Sequence, residues 1–398
     1  MKTMKITKMP VGVWGLTAML FASGTLLAQT QLTTSGFGAP LRNLPADLLA
    51  AFTDGLAEFE EEDTLAQGLG PIFNNVSCAV CHSSPATGGA SAILETRFGR
   101  LVDGHFDPMT ELGGSLLQEF SIDPACQEII PDTATIIARR QTQPLFGLGL
   151  IEAIPDWVIV ANALLSKPDG ITGRAAIVKD VASGQWRVGR FGWKAQQATL
   201  LAFSGDAYLN EMGITSRLFP QENAPNGDIT MLAQFDQVPD PEDETDPITG
   251  KSNIDAFTDF MKFLAPPPRL ATTLSTLAGA AVFGSIGCAY CHQPVLYTGP
   301  SSIEALDQKA VVLYSDLLLH NMGSLGDGIA QAAAGRREMR TAPLWGLRAS
   351  APYLHDGRAA TVDEAIRAHD GEGAVARDRY VGLTPTYQKY LLDFLNSN

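Results

Sequence analysis

Positive charge is scarce in this chain of 398 residues, as are histidine and cysteine. It has 28 Lys and Arg against 43 Asp and Glu, which gives a formal net charge of −15. A surface with this excess of negative charge repels phosphate backbones, so we expect no nucleic-acid partner. Only 18% of the residues are charged and 45% are hydrophobic, which is typical of a soluble chain with a sizeable core.

Long hydrophobic runs are missing after the first 28 residues, so no later segment is expected to span a membrane. Lys2, Lys5 and Lys8 precede an apolar stretch over 11–27, and the small residue Ala28 follows it. This order predicts a signal peptide over 1–28 and export to the periplasm. Leu26 is larger than the residue usually found two positions before the small residue at a cleavage site, so an uncleaved leader that anchors the protein in a membrane is the alternative.

Five cysteines are present, and four of them belong to two Cys-x-x-Cys-His units, at Cys78, Cys81 and His82 and at Cys288, Cys291 and His292. In such a unit the two thiols form thioethers with a haem and the histidine binds the iron. A zinc site or a thioredoxin-like pair would not need a histidine after each cysteine pair. The sequence therefore predicts two covalently bound c-type haems, with His82 and His292 as iron ligands, and leaves Cys126 as a small buried residue.

The two motifs belong to a sequence that repeats itself. Apolar residues recur at helical spacing before each motif, at 48–59 and at 274–282. Downstream, Arg140 precedes a Pro-Leu-Phe-Gly-Leu segment and Arg340 precedes a Pro-Leu-Trp-Gly-Leu segment. A duplication explains these echoes. We expect a mainly α fold of two cytochrome c-like haem domains with long loops and a linker, in which Arg140 and Arg340 bind the haems.

The boundary between the halves is predicted from composition. A short helix around 257–264 is followed by three prolines at 266–268, so the N-terminal domain covers 29–265 and the C-terminal domain 266–398. Within the first domain, 220–250 is rich in Pro, Asn, Gly and acidic residues and is predicted to be a solvated linker. Its acidic run at 240–244 is also compatible with calcium, but it lacks the ligand spacing of a calcium loop.

Four histidines remain from which a sixth ligand of either iron could come, namely His105, His320, His355 and His369. Thr361 and Glu364 form a capping-box pattern, which predicts a helix that ends near Gly371 and turns His369 towards a buried pocket. A hydrogen-bonded core histidine is the other interpretation of His369. His105 is the histidine nearest the first motif in sequence, and it is either a displaceable ligand or an exposed loop residue. His320 and His355 are expected to bind propionates or stiffen loops.

From about residue 46 to 398 the chain resembles the bacterial di-haem cytochrome c peroxidase superfamily, and within it the di-haem oxidoreductase or thiol oxidoreductase branch. The resemblance rests on the segments 70–75, 144–156, 189–195, 316–323 and 340–364. It implies that the C-terminal haem passes electrons to the N-terminal haem, where hydrogen peroxide is reduced. The donor would be a small redox protein, expected to be basic because the chain is acidic.

The resemblance also implies roles for individual residues. The family has a methionine iron ligand fourteen residues after the histidine that matches His355, and here that position is His369. Glu211, followed by Met212 and Gly213, matches the glutamate that serves as acid and base over the peroxidatic iron. Trp193 lies near the position of the tryptophan between the haems.

Two other functions fit the same motifs. One is a di-haem electron carrier with no substrate of its own. The other is an oxidase of thiols or of another non-peroxide substrate, because one fold can support several chemistries.

Overall fold

The computed structural model describes residues 36–398, so the predicted signal peptide lies outside it. Of the described residues 35% are helical and 15% are in strands or bridges, so the mainly α expectation holds only in part. The α-helices are α1 (Ala46–Glu60), α2 (Cys78–Cys81), α3 (Leu148–Glu152), α4 (Asp156–Ala163), α5 (Leu200–Met212), α6 (Ile229–Phe235), α7 (Asn253–Phe263), α8 (Leu274–Ser285), α9 (Val362–Arg367), α10 (Ala374–Val381) and α11 (Pro385–Leu395).

The strands are short and pair in antiparallel fashion. They are β1 (Ile72–Phe73), β2 (Leu94–Val102), β3 (His105–Asp107), β4 (Leu116–Leu117), β5 (Phe120–Ser121), β6 (Ile136–Gln141), β7 (Ala176–Lys179), β8 (Trp186–Gly189), β9 (Leu296–Tyr297), β10 (Ala310–Val311), β11 (Leu319–Asn321) and β12 (Glu338–Arg340). The largest sheet has β2 at its centre, paired with β3, β4 and β6. β11 pairs with β12, and these two strands carry His320 and Arg340.

A close helix crossing occurs once in each half. The helix before each motif packs on the last helix of its half, α1 on α7 and α8 on α11. A Cβ on Gly55 of α1 would lie 2.3 Å from the carbonyl oxygen of Ala256, and a Cβ on Gly279 of α8 would lie 2.0 Å from that of Tyr390. Only glycine permits backbones to approach this closely. The same device thus packs the helix that leads into each Cys-x-x-Cys-His unit.

Two main hydrophobic clusters lie behind these crossings. The first contains residues of α1, α5 and α7, and the second contains Val282, Phe283, Tyr380 and Phe394. Segment 296–318 follows the second motif in the chain, yet its leucines and Val311 pack in the first cluster. The first cluster therefore includes residues from beyond the predicted boundary at residue 265.

The segment 220–250 is anchored at some of its residues, although 244–250 are exposed. Its Asp243 is buried and accepts hydrogen bonds from the backbone nitrogens of Asn253, at 2.7 Å, and Ile254, at 3.3 Å. Glu242 accepts one from the backbone nitrogen of Thr215 at 2.8 Å. The acidic run is thus bound to the start of α7 and to the residues after α5, because carboxylates satisfy backbone donors that a helix N-terminus leaves unpaired.

The helices predicted around the motifs are confirmed, with one change. α1 and α8 cover the predicted periodic segments, and Thr361 and Glu364 form the expected capping box at the start of α9. That helix ends at Arg367, however, so His369 lies just beyond it instead of on its face. Within residues 36–398, no helix combines the length and the apolar character that crossing a bilayer requires.

Candidate active site

The second Cys-x-x-Cys-His unit lies at the end of α8, where the chain turns through Gly287 at a φ of +99°. The Nδ1 atom of His292 is 3.0 Å from the carbonyl oxygen of Tyr314. A carbonyl only accepts hydrogen bonds, so Nδ1 carries the proton and the lone pair of Nε2 is free for a metal. This outer hydrogen bond also fixes the orientation of the ring.

His369 faces His292 across the site. The centroids of the two rings are 6.4 Å apart. One metal ion bound by both Nε2 atoms would hold the ring centroids roughly 6 Å apart, because each metal–nitrogen bond is about 2 Å long. Nδ1 of His369 is 2.8 Å from the carbonyl oxygen of Ala365, so this ring too keeps Nε2 free. The pair therefore has the geometry of two ligands to one iron.

These side chains line a cavity of about 290 Å³ that also receives Cys288, Cys291 and Arg340. Arg340 is buried, and its guanidinium donates to two backbone oxygens, of Gly192 at 2.8 Å and Thr341 at 3.3 Å. Among residues 36–398 no carboxylate pairs with it, and burial lowers its pKa to about 10. A buried cation without a counter-ion favours an anionic guest. Haem, with its two propionates, fits this cavity and its donor set.

The first motif has a similar proximal side. Cys78 to Cys81 form α2. Ser77 caps this helix, because its hydroxyl oxygen accepts a hydrogen bond from the backbone N–H of Ala79. His82 follows, with Nδ1 3.1 Å from the carbonyl oxygen of Gly89. Its Nε2 is therefore also available, and Phe59 packs beside the ring with centroids 6.0 Å apart. The donor set again suits a haem.

No contact pairs His82 with a second histidine, and all six histidines lie within the described residues. His292 and His369 face each other. His355 packs on Trp193, and His320 is held by two carboxylates. His105 is exposed at the start of β3, where its Nδ1 lies 3.1 Å from the carbonyl oxygen of Asp103.

Glu211 lies at the first motif because the end of α5 is fixed there. α5 ends at Met212 and is capped by Gly213, which adopts a φ of +65°, and a Cβ on Gly70 would lie 2.4 Å from the carbonyl oxygen of Gly213. The segment before the motif thus packs directly on the helix end. Asn74 and Asn75 donate their backbone N–H groups to the carbonyl oxygen of Glu211, at 2.7 and 3.1 Å.

The side chain of Glu211 is buried among charged groups that change its pKa. Burial, and then the nearby Glu95 carboxylate, raise its pKa to about 7, against the opposing effects of a 2.8 Å hydrogen bond from Asn74 and the charge of Arg97. Burial, and next the charge of Glu211, also raise the pKa of Cys81 to about 11. A carboxyl group with a pKa near neutrality can both accept and donate a proton. Glu95 and Arg97 lie on β2, a strand that the sequence reasoning did not predict.

Trp193 lies between the two halves and lines the cavity. Its indole N–H donates to the carbonyl oxygen of Gln141 at 2.9 Å, and its ring meets His355 edge-on with centroids 6.3 Å apart. Its carbonyl oxygen accepts the backbone N–H of Arg340 at 2.9 Å. Trp193 thus joins residues of both halves next to the second site.

Arg140, predicted to bind haem, is committed elsewhere. It is buried on β6, where its Nε donates to Asp327 at 2.9 Å and its Nη1 to Gln331 at 2.6 Å. Lys194 reaches the other oxygen of Asp327 at 2.8 Å. Arg140 is not among the residues that line the cavity. Despite the sequence echo, the two arginines differ in their partners, because Asp327 supplies Arg140 with a counter-ion that Arg340 lacks.

The family model described as "Di-haem oxidoreductase, putative peroxidase" matches residues 126–398, which is more than half of the chain. The chain is a member of this di-haem oxidoreductase family. The match begins after the first Cys-x-x-Cys-His unit and includes the second, together with Trp193, Glu211, Arg340 and His369. The protein is accordingly a redox enzyme that uses haem, as the resemblance in sequence predicted.

This di-haem oxidoreductase is distantly similar to two solved structures. Hydrazine synthase of Kuenenia stuttgartiensis is 14% identical, with both chains fully covered and a TM-score of 0.42. A MauG-like protein associated with microbial copper homeostasis is 17% identical, with 64% of this chain and 88% of that chain covered and a TM-score of 0.33. These scores are too low to define a shared fold. No curated protein sequence matches the chain significantly.

Proposed function

We propose that this di-haem oxidoreductase is a periplasmic c-type cytochrome that reduces a small peroxide with electrons from a small redox protein. One haem is attached covalently through Cys78 and Cys81 and the other through Cys288 and Cys291. His292 and His369 bind the second iron and His82 binds the first. The haems supply the one-electron redox chemistry.

The observation that carries the proposal is the difference between the two sites. At the second motif two imidazoles face each other at 6.4 Å, an arrangement that would let both rings hold one haem iron and would suit electron transfer. At the first motif His82 has no such partner, and Glu211 lies nearby with a pKa of about 7. An open position beside a proton donor is what a peroxide-reducing site requires.

Glu211 supplies the proton transfer in this reaction. Reduction of hydrogen peroxide to two waters consumes two electrons and two protons. The Glu211 carboxylate takes the proton from one peroxide oxygen and returns it to the other, so that the O–O bond breaks with water as the leaving group. Asn74 holds the carboxylate in place through its 2.8 Å hydrogen bond. The proton that Glu211 moves comes from the peroxide itself, so both protons that the reduction consumes come from solvent.

Replacement of Glu211 tests this role. In the holoprotein, Glu211→Gln keeps the hydrogen-bonding shape but removes the base, so we expect peroxide turnover to fall by roughly 10²- to 10⁴-fold. Glu119→Gln is the matched control, because this exposed glutamate donates its backbone N–H to the same Asn74 at 2.9 Å. Turnover is measured as peroxide-dependent oxidation of a reduced donor. Equal turnover in Glu211→Gln and wild type would exclude the proposed role, and absence of turnover in wild type would exclude the peroxidase.

A further inference from the structure

His320 is a buried histidine that the proposed peroxide chemistry does not use. It lies on β11, only 2% exposed, opposite Met339 of β12. Its Nε2 is 3.1 Å from Asp316 Oδ2 and its Nδ1 is 2.7 Å from Glu372 Oε2. Ionised carboxylates only accept hydrogen bonds, so both ring nitrogens carry protons and the ring is an imidazolium.

The electrostatics agree with this geometry. Burial opposes the charged ring, but the hydrogen bonds to Asp316, Cys291 and Glu372 outweigh it and raise the pKa of His320. Burial likewise opposes the charge on Asp316, yet its contacts with His320 and Lys167 lower its pKa. The pKa of Glu372 is lowered to about 2, again against burial, chiefly by the bond from His320.

The imidazolium lies against the second haem motif. Its Nδ1 is 3.7 Å from the sulfur of Cys291, the atom that would carry a thioether to the haem. The ring also lies against Gly173, where a Cβ would be 2.2 Å from the Cε1 atom of His320. Glycine at 173 therefore leaves the space that the ring occupies.

Glu372 connects the same network to the loop that carries His369, three residues before it. Besides His320, it accepts hydrogen bonds from the backbone N–H of Thr172 at 2.9 Å, from the Thr172 hydroxyl at 3.1 Å and from the backbone N–H of Asn321 at 3.2 Å. On the other side, Lys167 pairs with Asp316 at 2.6 Å. Residues of both halves thus converge on the ring of His320.

We propose that His320 is a positioning residue whose fixed positive charge raises the reduction potential of the haem bound at Cys288 and Cys291, and which anchors the loop of His369 through Glu372. A cation in a buried site of low dielectric stabilises the added electron of a reduced haem. With Asp316, Glu372 and Lys167 the charges balance, so loss of the imidazolium leaves one carboxylate uncompensated. This inference rests on haem attachment at the second motif and not on the peroxide substrate.

Paired substitutions of opposite charge test the proposal by redox titration of the holoprotein without peroxide. His320→Gln removes the positive charge and should lower the potential of the bis-imidazole haem. Asp316→Asn removes a negative charge from the same pair and should raise it. Lys389→Gln is the control, because this exposed lysine on α11 pairs with Asp393 at 2.6 Å and its loss removes one positive charge from the surface, with no expected shift.

The outcomes are distinguishable. Opposite shifts in the two variants support a charge effect, whereas shifts in the same direction, or no shift in either, would overturn it, since a purely structural role predicts no dependence on the sign of the charge. If His320→Gln does not fold, a raised potential in Asp316→Asn still supports the proposal and an unchanged one contradicts it. An alkaline pyridine haemochrome spectrum of wild type with fewer than two covalent haems per chain would instead contradict the proposed function.

Discussion

His82 and His292 each donate Nδ1–H to a backbone carbonyl, yet only His292 faces a second imidazole. Sequence spacing predicted His82 and His292 as proximal ligands and, with the family resemblance, His369 as a further one. It did not identify His320 as an imidazolium, because one of its two carboxylate partners, Glu372, lies 52 residues further along the chain. Sequence spacing also did not show that Arg140 has a counter-ion and Arg340 has none, because the counter-ion, Asp327, comes from a distant loop.

Glu222 gives a residue-level prediction about stability. Its carboxylate lies with those of Asp240 and Glu242 within 4.8 Å, and its Oε2 is buried without a hydrogen-bond partner. Burial, together with the charges of Glu242 and Asp240, raises its pKa to about 9. A carboxyl group whose pKa is raised on folding contributes its stability below the unfolded pKa and loses it as the pH rises through the folded pKa.

Glu222→Gln removes this titration. We expect the variant to be more stable than wild type by about 1–3 kcal/mol at pH 8 and nearly equal to it at pH 4. Urea unfolding in the presence of a chelator measures the difference, and Glu244→Gln, in the exposed part of the same acidic run, serves as control. A stability difference that is the same at both pH values would show that the buried carboxylate is not its source.

At the scale of secondary structure, helices were predictable and strands were not. α1, α8 and the capping box of α9 follow from local periodicity and local hydrogen bonds. β2 and β6 form their ladder between residues about 40 apart in sequence, and the pairing sets Glu95 opposite Arg140. Such long-range pairing leaves little local signal. The surroundings of Glu211 therefore emerged only from the structure.

The crossing of α8 and α11 gives a prediction at this scale. Gly279→Ala places a Cβ 2.0 Å from the carbonyl oxygen of Tyr390, so the helices must separate, at a cost of about 1–3 kcal/mol. Gly284→Ala, on the same helix but with nothing within 4 Å of the added Cβ, should instead be neutral or stabilising by up to about 1 kcal/mol. Thermal unfolding distinguishes them, and an equal effect of both variants would contradict the close crossing.

At the scale of the whole molecule, the net charge of −15 bears on the electron donor. We propose a small basic redox protein, because complementary charge accelerates encounter and salt screens it. The rate of reduction by a basic donor such as a cationic cytochrome should therefore fall as ionic strength rises, measured by stopped-flow absorbance. A rate that rises with salt would exclude this mode of docking.

The proposed function depends on a difference between the two haem sites. His369 would share the second iron with His292, whereas no histidine would share the first iron with His82. Low-temperature electron paramagnetic resonance of the oxidised and half-reduced holoprotein tests it most directly. We expect one low-spin signal from the haem held by two imidazoles. The signal of the haem at His82 should be high-spin, or should change when cyanide is added to the half-reduced protein. Two low-spin signals that cyanide leaves unchanged in both states would contradict it.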